Sequence, residues 1–266
     1  MKKTIMFSAL LALAGQGYCA DLEIKTFPAK GINGISANTE VGPITVAGSP
    51  GDIKVEVFGN LPDTCVLTMG VLDGKLLLKA ESSKILKVKG PFGFGGKWVD
   101  CAAGFKVSAP SGIDFEAKSG TGKIGVSGIT GTVSVKSGTG AVALSALAGK
   151  VEVDSGTGDI FGELCSKQLT VKGGSVKVNL KGLCGPVEIG TGTGSVALDW
   201  LKAPASGTAR VKTGTADISV TFPAGAAVGA NLKSGTGSIK NEFAAEGPFQ
   251  LQAKSGTGDI SVLKAR

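Results

Sequence analysis

The chain has 266 residues, of which 43 are glycine, 42% are hydrophobic and 18% are charged, with a formal net charge of +7. Glycine at about twice its usual share would suit collagen, but there is no three-residue period and little proline. The apolar content is too high for a disordered chain. With no histidine at all, the commonest general base and metal ligand is missing, and acid–base chemistry would fall to carboxylates.

The first residues form an export signal. Lys2 and Lys3 precede an apolar run from Ile5 to Ala14, and small residues at Gly17 and Cys19 place cleavage after Cys19, with Ala20 as the alternative. The run is shorter than the ~20 residues a membrane-spanning helix needs, and no later segment reads as transmembrane. A lipid anchor on Cys19 fits less well, because Gln16 and Tyr18 occupy the diagnostic positions. Losing Lys2 and Lys3 lowers the charge from +7 to +5. The expected destination is the periplasm, the cell surface or the exterior. Residues 20–266 are expected to form one domain, irregular over 20–118 and regular over 119–266.

In the irregular part, Ile35 to Val46 reads as a degenerate repeat with a corner at Gly42. Further strands are expected over Asp52–Phe58, Leu76–Ala80 and Phe105–Ser108. The segment Lys89–Lys97 is a glycine-rich loop carrying Phe92 and Phe94, with Trp98 just beyond it. Such an aromatic cluster either covers an open end of the core or contacts a partner. Four cysteines follow the signal, an even number suited to disulfides in an exported chain. Sequence proximity favours Cys65–Cys101 and Cys165–Cys184. No CxxC pair exists, so no metal site is expected.

From Ser119 onward one unit recurs. SGTG stands at Ser119, Ser137, Ser155, Ser234 and Ser255, and altered copies begin at Thr191 and Thr213. Steps run 18 to 22 residues, apart from one double step of 36 that contains a shortened copy at Val171–Val176. Apolar residues stand two and four positions before each marker, as at Val133, Val135, Val151 and Val153. They stand again five and seven after it, as at Ile124, Val126, Val142 and Leu144. Alternation with period two means strands with one buried face. A single unit is too thin to bury that face, so units must stack strand on strand. The sequence therefore predicts an all-β fold, a single-stranded parallel β-helix (β-solenoid) with 18–22-residue coils. Marker glycines are expected to permit positive φ, and marker hydroxyls to satisfy turn amides. Asn241 sits in an apolar slot, which marks an imperfect wall.

The run KSGTGKIGVSGITGTVSVKSGTGAVALSALAGKVEVDSGTGDI, with the preceding FKVSAPSGIDFE at Phe105–Glu116, resembles the bacterial putative adhesin family of β-strand-repeat proteins. The resemblance covers roughly residues 35–266. It implies a single-stranded β-helix, right-handed, at or outside the cell envelope. No binding residue carries over from it.

Outward positions carry the remaining information. The residues immediately before the markers are Lys118, Lys136, Asp154, Lys172, Gly190, Lys212, Lys233 and Lys254. A stacked file of this kind reads either as a stripe for an anionic glycan or other cell-surface component, or as a solvated face whose lysines discourage edge pairing. Aspartates close only three corners, at Asp159, Asp217 and Asp259, too few and too scattered for a calcium ladder. Asp154 and Glu152 share a face but lie among lysines, which argues against a catalytic pair. No cofactor, catalytic residue or nucleic-acid partner is expected. The leading functional reading is an exported non-catalytic scaffold that binds or adheres. An envelope-stress or signalling accessory is the second reading, and a polysaccharide-acting enzyme the third.

Overall fold

A computed structural model describes residues 23–83, 86–89, 95–98 and 101–266. The signal segment lies outside the described residues, as do Phe92, Phe94 and the side chain of Trp98. Among the described residues there are strands and turns but no helix.

The irregular part contributes β1 (Glu23–Phe27), β2 (Gly34–Thr39), β3 (Ile44–Gly48), β4 (Ile53–Asn60), β5 (Cys65–Leu72), β6 (Lys75–Ser82), β7 (Leu86–Lys89), β8 (Gly95–Trp98) and β9 (Ala102–Ala109). The repeats follow as β10 (Asp114–Ser119), β11 (Ile124–Ser127), β12 (Val133–Ser137), β13 (Val142–Ser145), β14 (Lys150–Thr157), β15 (Ile160–Glu163), β16 (Gln168–Ser175) and β17 (Val178–Leu183). The rest of the chain is β18 (Val187–Thr193), β19 (Val196–Trp200), β20 (Gly207–Thr215), β21 (Ile218–Phe222), β22 (Val228–Thr236), β23 (Ile239–Asn241), β24 (Phe249–Thr257) and β25 (Ile260–Lys264).

Two large, mostly parallel sheets result. The first has twelve strands in the order β1-β4-β9-β3-β11-β13-β15-β17-β19-β21-β25-β23. The second has eleven, in the order β22-β24-β20-β18-β16-β14-β12-β10-β2-β6-β5. From β10 to β19 the chain alternates between sheets at every strand, and each strand pairs with the strand two further on. Val133 thus stands beside Phe115 and Val151, and Val142 beside Ile124 and Ile160. The inward residues of both sheets form one continuous core, in which Val133, Val142, Val151, Leu169 and Val178 are fully buried. The period-two reading of the sequence is borne out at these positions. The two expected disulfides, Cys65–Cys101 and Cys165–Cys184, both form, with Cα separations of 4.8 and 4.9 Å. The second joins successive layers, where the strand-pairing distance brings equivalent residues within disulfide reach.

At both ends the stacking order departs from the sequence order. At one end β2 and β3 stack directly on β10 and β11. Outside them lie β6 and β9, covered in turn by antiparallel β5 and β4, with β1 on the far side of β4. At the other end β24 and β25 do not follow β22 and β23 but insert between them and β20 and β21. This corrects the expectation that the repeats stack in the order of the chain. The physical reason lies in the two copies themselves. The inserted copy places Phe249, Leu251, Ala253, Ile260 and Val262 inward, each at most 1% exposed. The displaced copy has Asn241 in its wall, and β23 is exposed throughout. The more apolar copy takes the doubly covered position. The polar one forms the edge, where Asn241 closes a local turn with the backbone of Phe243.

The inserted layer rests on an aromatic cluster. Trp200 stacks on Phe222 with ring centroids 4.6 Å apart, and Phe249 meets both rings at 6.2 and 6.1 Å. Phe243, which follows β23, packs edge-on against Phe222 at 5.7 Å. The longer 21–22-residue steps of this region carry these rings. Replacing Phe249 by alanine is expected to cost about 3–5 kcal/mol, the range for truncating a buried aromatic, because it leaves a cavity at the joint. A urea titration checks it. The same change at exposed Phe161 is expected to be nearly neutral.

The SGTG corners have a different logic from the one expected for their glycines. Gly122 and Gly140 do not have positive φ, although Gly158, Gly194 and Gly258 do. What the corners require is close approach. A Cβ on Gly138 would lie 2.3 Å from the carbonyl oxygen of Gly120, and one on Gly140 would lie 2.0 Å from that of Gly122. The marker hydroxyls turn inward, as expected. Ser137 Oγ accepts from the Gly140 N–H and donates to the Gly140 carbonyl, both at 3.0 Å. Ser119 Oγ accepts from the Gly122 N–H at 2.8 Å.

The shortened copy replaces the hydroxyl with carbon. At Gly173 a Cβ would lie 2.1 Å from Val176 Cγ2, and Val176 is buried. Its register neighbour Thr191 is then left with a buried hydroxyl that has no partner among the described residues. Ser137→Ala, which strands two backbone groups, is expected to cost about 1–3 kcal/mol. Thr191→Val is expected to be neutral or slightly stabilising, since it removes an unsatisfied group. Chemical denaturation of the two variants tests this contrast.

Candidate functional site

The file of residues before the markers forms as expected, on the outer face of the second sheet. Pairing register places Lys118 beside Lys136, Lys136 beside Asp154, and Asp154 beside Lys172, followed by Gly190 and Lys212. These four lysines and Asp154 are exposed. Beyond Lys118 the file continues through Asn38 to Lys79, two positions that the repeat pattern did not reveal because their strands precede the markers. At the other end the order is Lys212, Lys254, Lys233, so the inserted strand β24 changes the expected order of the residues but not of their charges.

Two regimes of charge follow along this file. Near β10–β16, lysines and carboxylates are interleaved. Lys75 holds Glu116 at 2.8 Å, Lys150 holds Glu152 at 2.8 Å and Lys79 holds Glu81 at 2.8 Å. The Lys75 hydrogen bond keeps the Glu116 carboxyl below its ordinary pKa, against a partial opposing effect of burial, with Lys136 adding a weaker pull. Glu152 is lowered mainly by Lys150, with Lys172 and Lys136 contributing at longer range. A shallow depression of about 580 Å³ lies on this stretch, bordered by Lys118 and Lys136 but also by Glu40, Glu81 and Asp154. Near β20–β24 the neighbouring outward row is Arg210, Gln252 and Asn231, which contains no carboxylate.

Across the corner from the lysines runs a second ladder. Thr157, Ser175, Thr193, Thr215, Thr257 and Thr236 stand side by side on successive strands, all exposed. Between the two ladders lie glycines, so that exposed backbone without side chains separates them. This ladder was legible in the third letter of each SGTG marker.

The outer face of the first sheet carries a depression of about 650 Å³ that the sequence reading missed. It is lined by Thr45, Gly125, Ala143, Phe161 and Asn179, among others. Phe161 is 46% exposed. The available signal was an aromatic at an outward position where the adjoining layers have alanine and asparagine, Ala143 and Asn179. Among the described residues no three His, Cys, Asp or Glu side chains group as metal ligands. No helix among them is long and apolar enough to cross a membrane.

Because the folded-state pKa of Glu116 is lowered, its contribution to stability is present above the unfolded-state pKa and is lost as pH falls through the folded-state value. With the carboxylate 45% exposed, the contribution is expected to be at most about 1 kcal/mol. Glu116→Gln should therefore lower the urea midpoint at pH 7, and the gap to the parent should close as pH falls through the lowered folded-state pKa of Glu116. A gap that persists unchanged in acid would exclude the Lys75 ion pair as its source.

No protein-family model matches the chain, and no curated protein matches it significantly. Three solved structures align with the chain. A putative adhesin from Bacteroides fragilis aligns with a TM-score of 0.53 at 18% identity, covering 91% of this chain and 97% of that one. A putative lipid binding protein from Parabacteroides distasonis aligns at 0.50 and 14% identity, covering 92% and 97%. A putative cell adhesion protein from Clostridium sporogenes covers 93% of this chain and 100% of its own, at 11% identity and a TM-score of 0.34. At these identities the first two likenesses establish a shared fold and no shared activity.

Proposed function

We propose that the chain is an exported, non-catalytic scaffold of single-stranded parallel β-helical type, which binds an anionic glycan of the cell surface or its surroundings along the lysine file. The observation that carries this reading is the in-register alignment of exposed lysines on one sheet face. An extended strip of like charge suits a long anionic chain better than a small molecule. Two disulfides and a leader-like N-terminus support an oxidising, extracytoplasmic setting. The names given to the fold neighbours, which concern adhesion and binding, agree with such a role. Support for the non-catalytic reading comes from the carboxylates of this face. Glu116 and Glu152 are held ionised by lysines, opposite to the raised pKa that a general acid needs.

Retention on an anionic polysaccharide resin tests the reading. The Lys136→Gln, Lys172→Gln, Lys212→Gln, Lys233→Gln variant should elute at markedly lower salt than the parent. Identical elution of the two folded proteins would remove the lysine file from the function.

A further inference from the structure

The lysine file is not uniform along its length. Inserting β24 between β20 and β22 sets Lys254 directly between Lys212 and Lys233. Three ammonium-bearing side chains thus stand on adjacent strands, at the ~4.8 Å spacing of a sheet. Like charges directly opposite one another are destabilising. In the outward row beside them stand Arg210, Gln252 and Asn231, and among the described residues none of these lysines forms an ion pair. Arg210 has Glu188 as its neighbour on β18. The acids across the corner are committed elsewhere: Asp259 Oδ1 accepts from the Ser238 N–H at 2.7 Å, and Asp217 Oδ1 from the Asp259 N–H at 2.8 Å. Elsewhere along the file the lysines have carboxylates for neighbours, with Asp154 between Lys136 and Lys172.

The surroundings have a consistent chemistry. On the corner side of the triad lie Gly214, Gly256 and Gly235, packed so closely that a Cβ on either of the last two would meet a carbonyl at 2.5 Å. They make a smooth floor along the stacking axis. On the far bank stand Thr215, Thr257 and Thr236 in register. Parallel rows of cations and of hydroxyls, separated by glycine backbone, complement a linear polymer that carries carboxylates and hydroxyls together. No aromatic side chain stands at these positions to stack a nucleobase.

We propose that Lys212, Lys254 and Lys233, assisted by Arg210, are the anchoring site for a linear acidic polysaccharide. Carboxylates pair with the lysine bank, and sugar hydroxyls bond to the threonine bank. This rests on the reading of the lysine file as a glycan-binding face, and narrows it to one end. A chain bound there crosses β20, β24 and β22, and so clamps the inserted layer between its neighbours. Binding therefore stabilises the fold, as any ligand selective for the native state does.

The test compares two variants of equal charge on the full-length mature protein, with polygalacturonate as the probe. One is Lys212→Gln, Lys254→Gln, Lys233→Gln; the other is Lys118→Gln, Lys136→Gln, Lys172→Gln. Affinity is measured by biolayer interferometry at fixed salt, and melting temperature with and without the polymer. The first variant is expected to bind about tenfold more weakly or worse and to lose the thermal shift. The second should lose about threefold at most, the cost of a general reduction in charge. Circular dichroism confirms that both fold. Thr257→Val, in the background of the parent, should weaken binding without changing the salt dependence. Equal losses in the two lysine variants, or loss in the second alone, overturn the anchoring site while leaving the glycan-binding face intact. No binding of polygalacturonate by the parent overturns both. Tighter, triad-dependent binding of single-stranded DNA or of anionic lipid vesicles overturns the polysaccharide assignment.

Discussion

Every layer of this protein must come within strand-pairing distance of the next around its corners as well as along its strands. Backbone carbonyls of one layer then occupy the space where the next layer's Cβ atoms would be. Gly138 over Gly120 and Gly140 over Gly122 are the direct expression of that constraint. The tight corner leaves backbone groups pointing inward, and these are met by the Ser and Thr hydroxyls. A buried polar group is tolerable only when paired. The shortened copy solves the same problem with carbon, by folding Val176 into the vacant hydroxyl position at Gly173. That substitution leaves its neighbour Thr191 unsatisfied.

A stack of open layers has two ends, and both are closed by the same manoeuvre. The chain runs past its next position, lays down an outer layer, then returns to fill the gap. At one end the outer layer is antiparallel β4 and β5. At the other it is β22 and β23, whose weak apolar pattern suits an edge. Filling the gap last places the most apolar copy between two others and locks its Phe249 into the Trp200–Phe222 cluster. A C-terminal strand paired on both sides cannot fray as a terminal edge strand would.

The same manoeuvre shapes the outer surface. Side chains that a simple stack would hold two layers apart become neighbours when a layer is inserted. Lys254 and Thr257 are thereby set between their counterparts on β20 and β22. The order of residues on the charged face thus follows from how the end is closed, and its charge from the residues that the repeats carry.

What the sequence determined by itself is the local grammar. Period two in the apolar residues gave the strands, the recurrence near 18 gave the in-register stacking, and the spacing of Cys165 and Cys184 gave a bridge between successive layers. These are legible because a residue's neighbour in the next layer is its counterpart one repeat away. Lys136, Asp154 and Lys172 could be placed side by side for that reason. Only the tertiary structure decided the stacking order at the ends, because repeats so alike can pair in several orders. The choice depends on total burial, not on any local pattern. Asn241 was visible as a flaw in the wall, but that the flaw sends its layer to the edge follows only once the alternative places are compared. The close approach behind the corner glycines, the aromatic joint and the adjacency of Lys254 to both Lys212 and Lys233 all depend on packing between segments distant along the chain. No spacing rule encodes that packing.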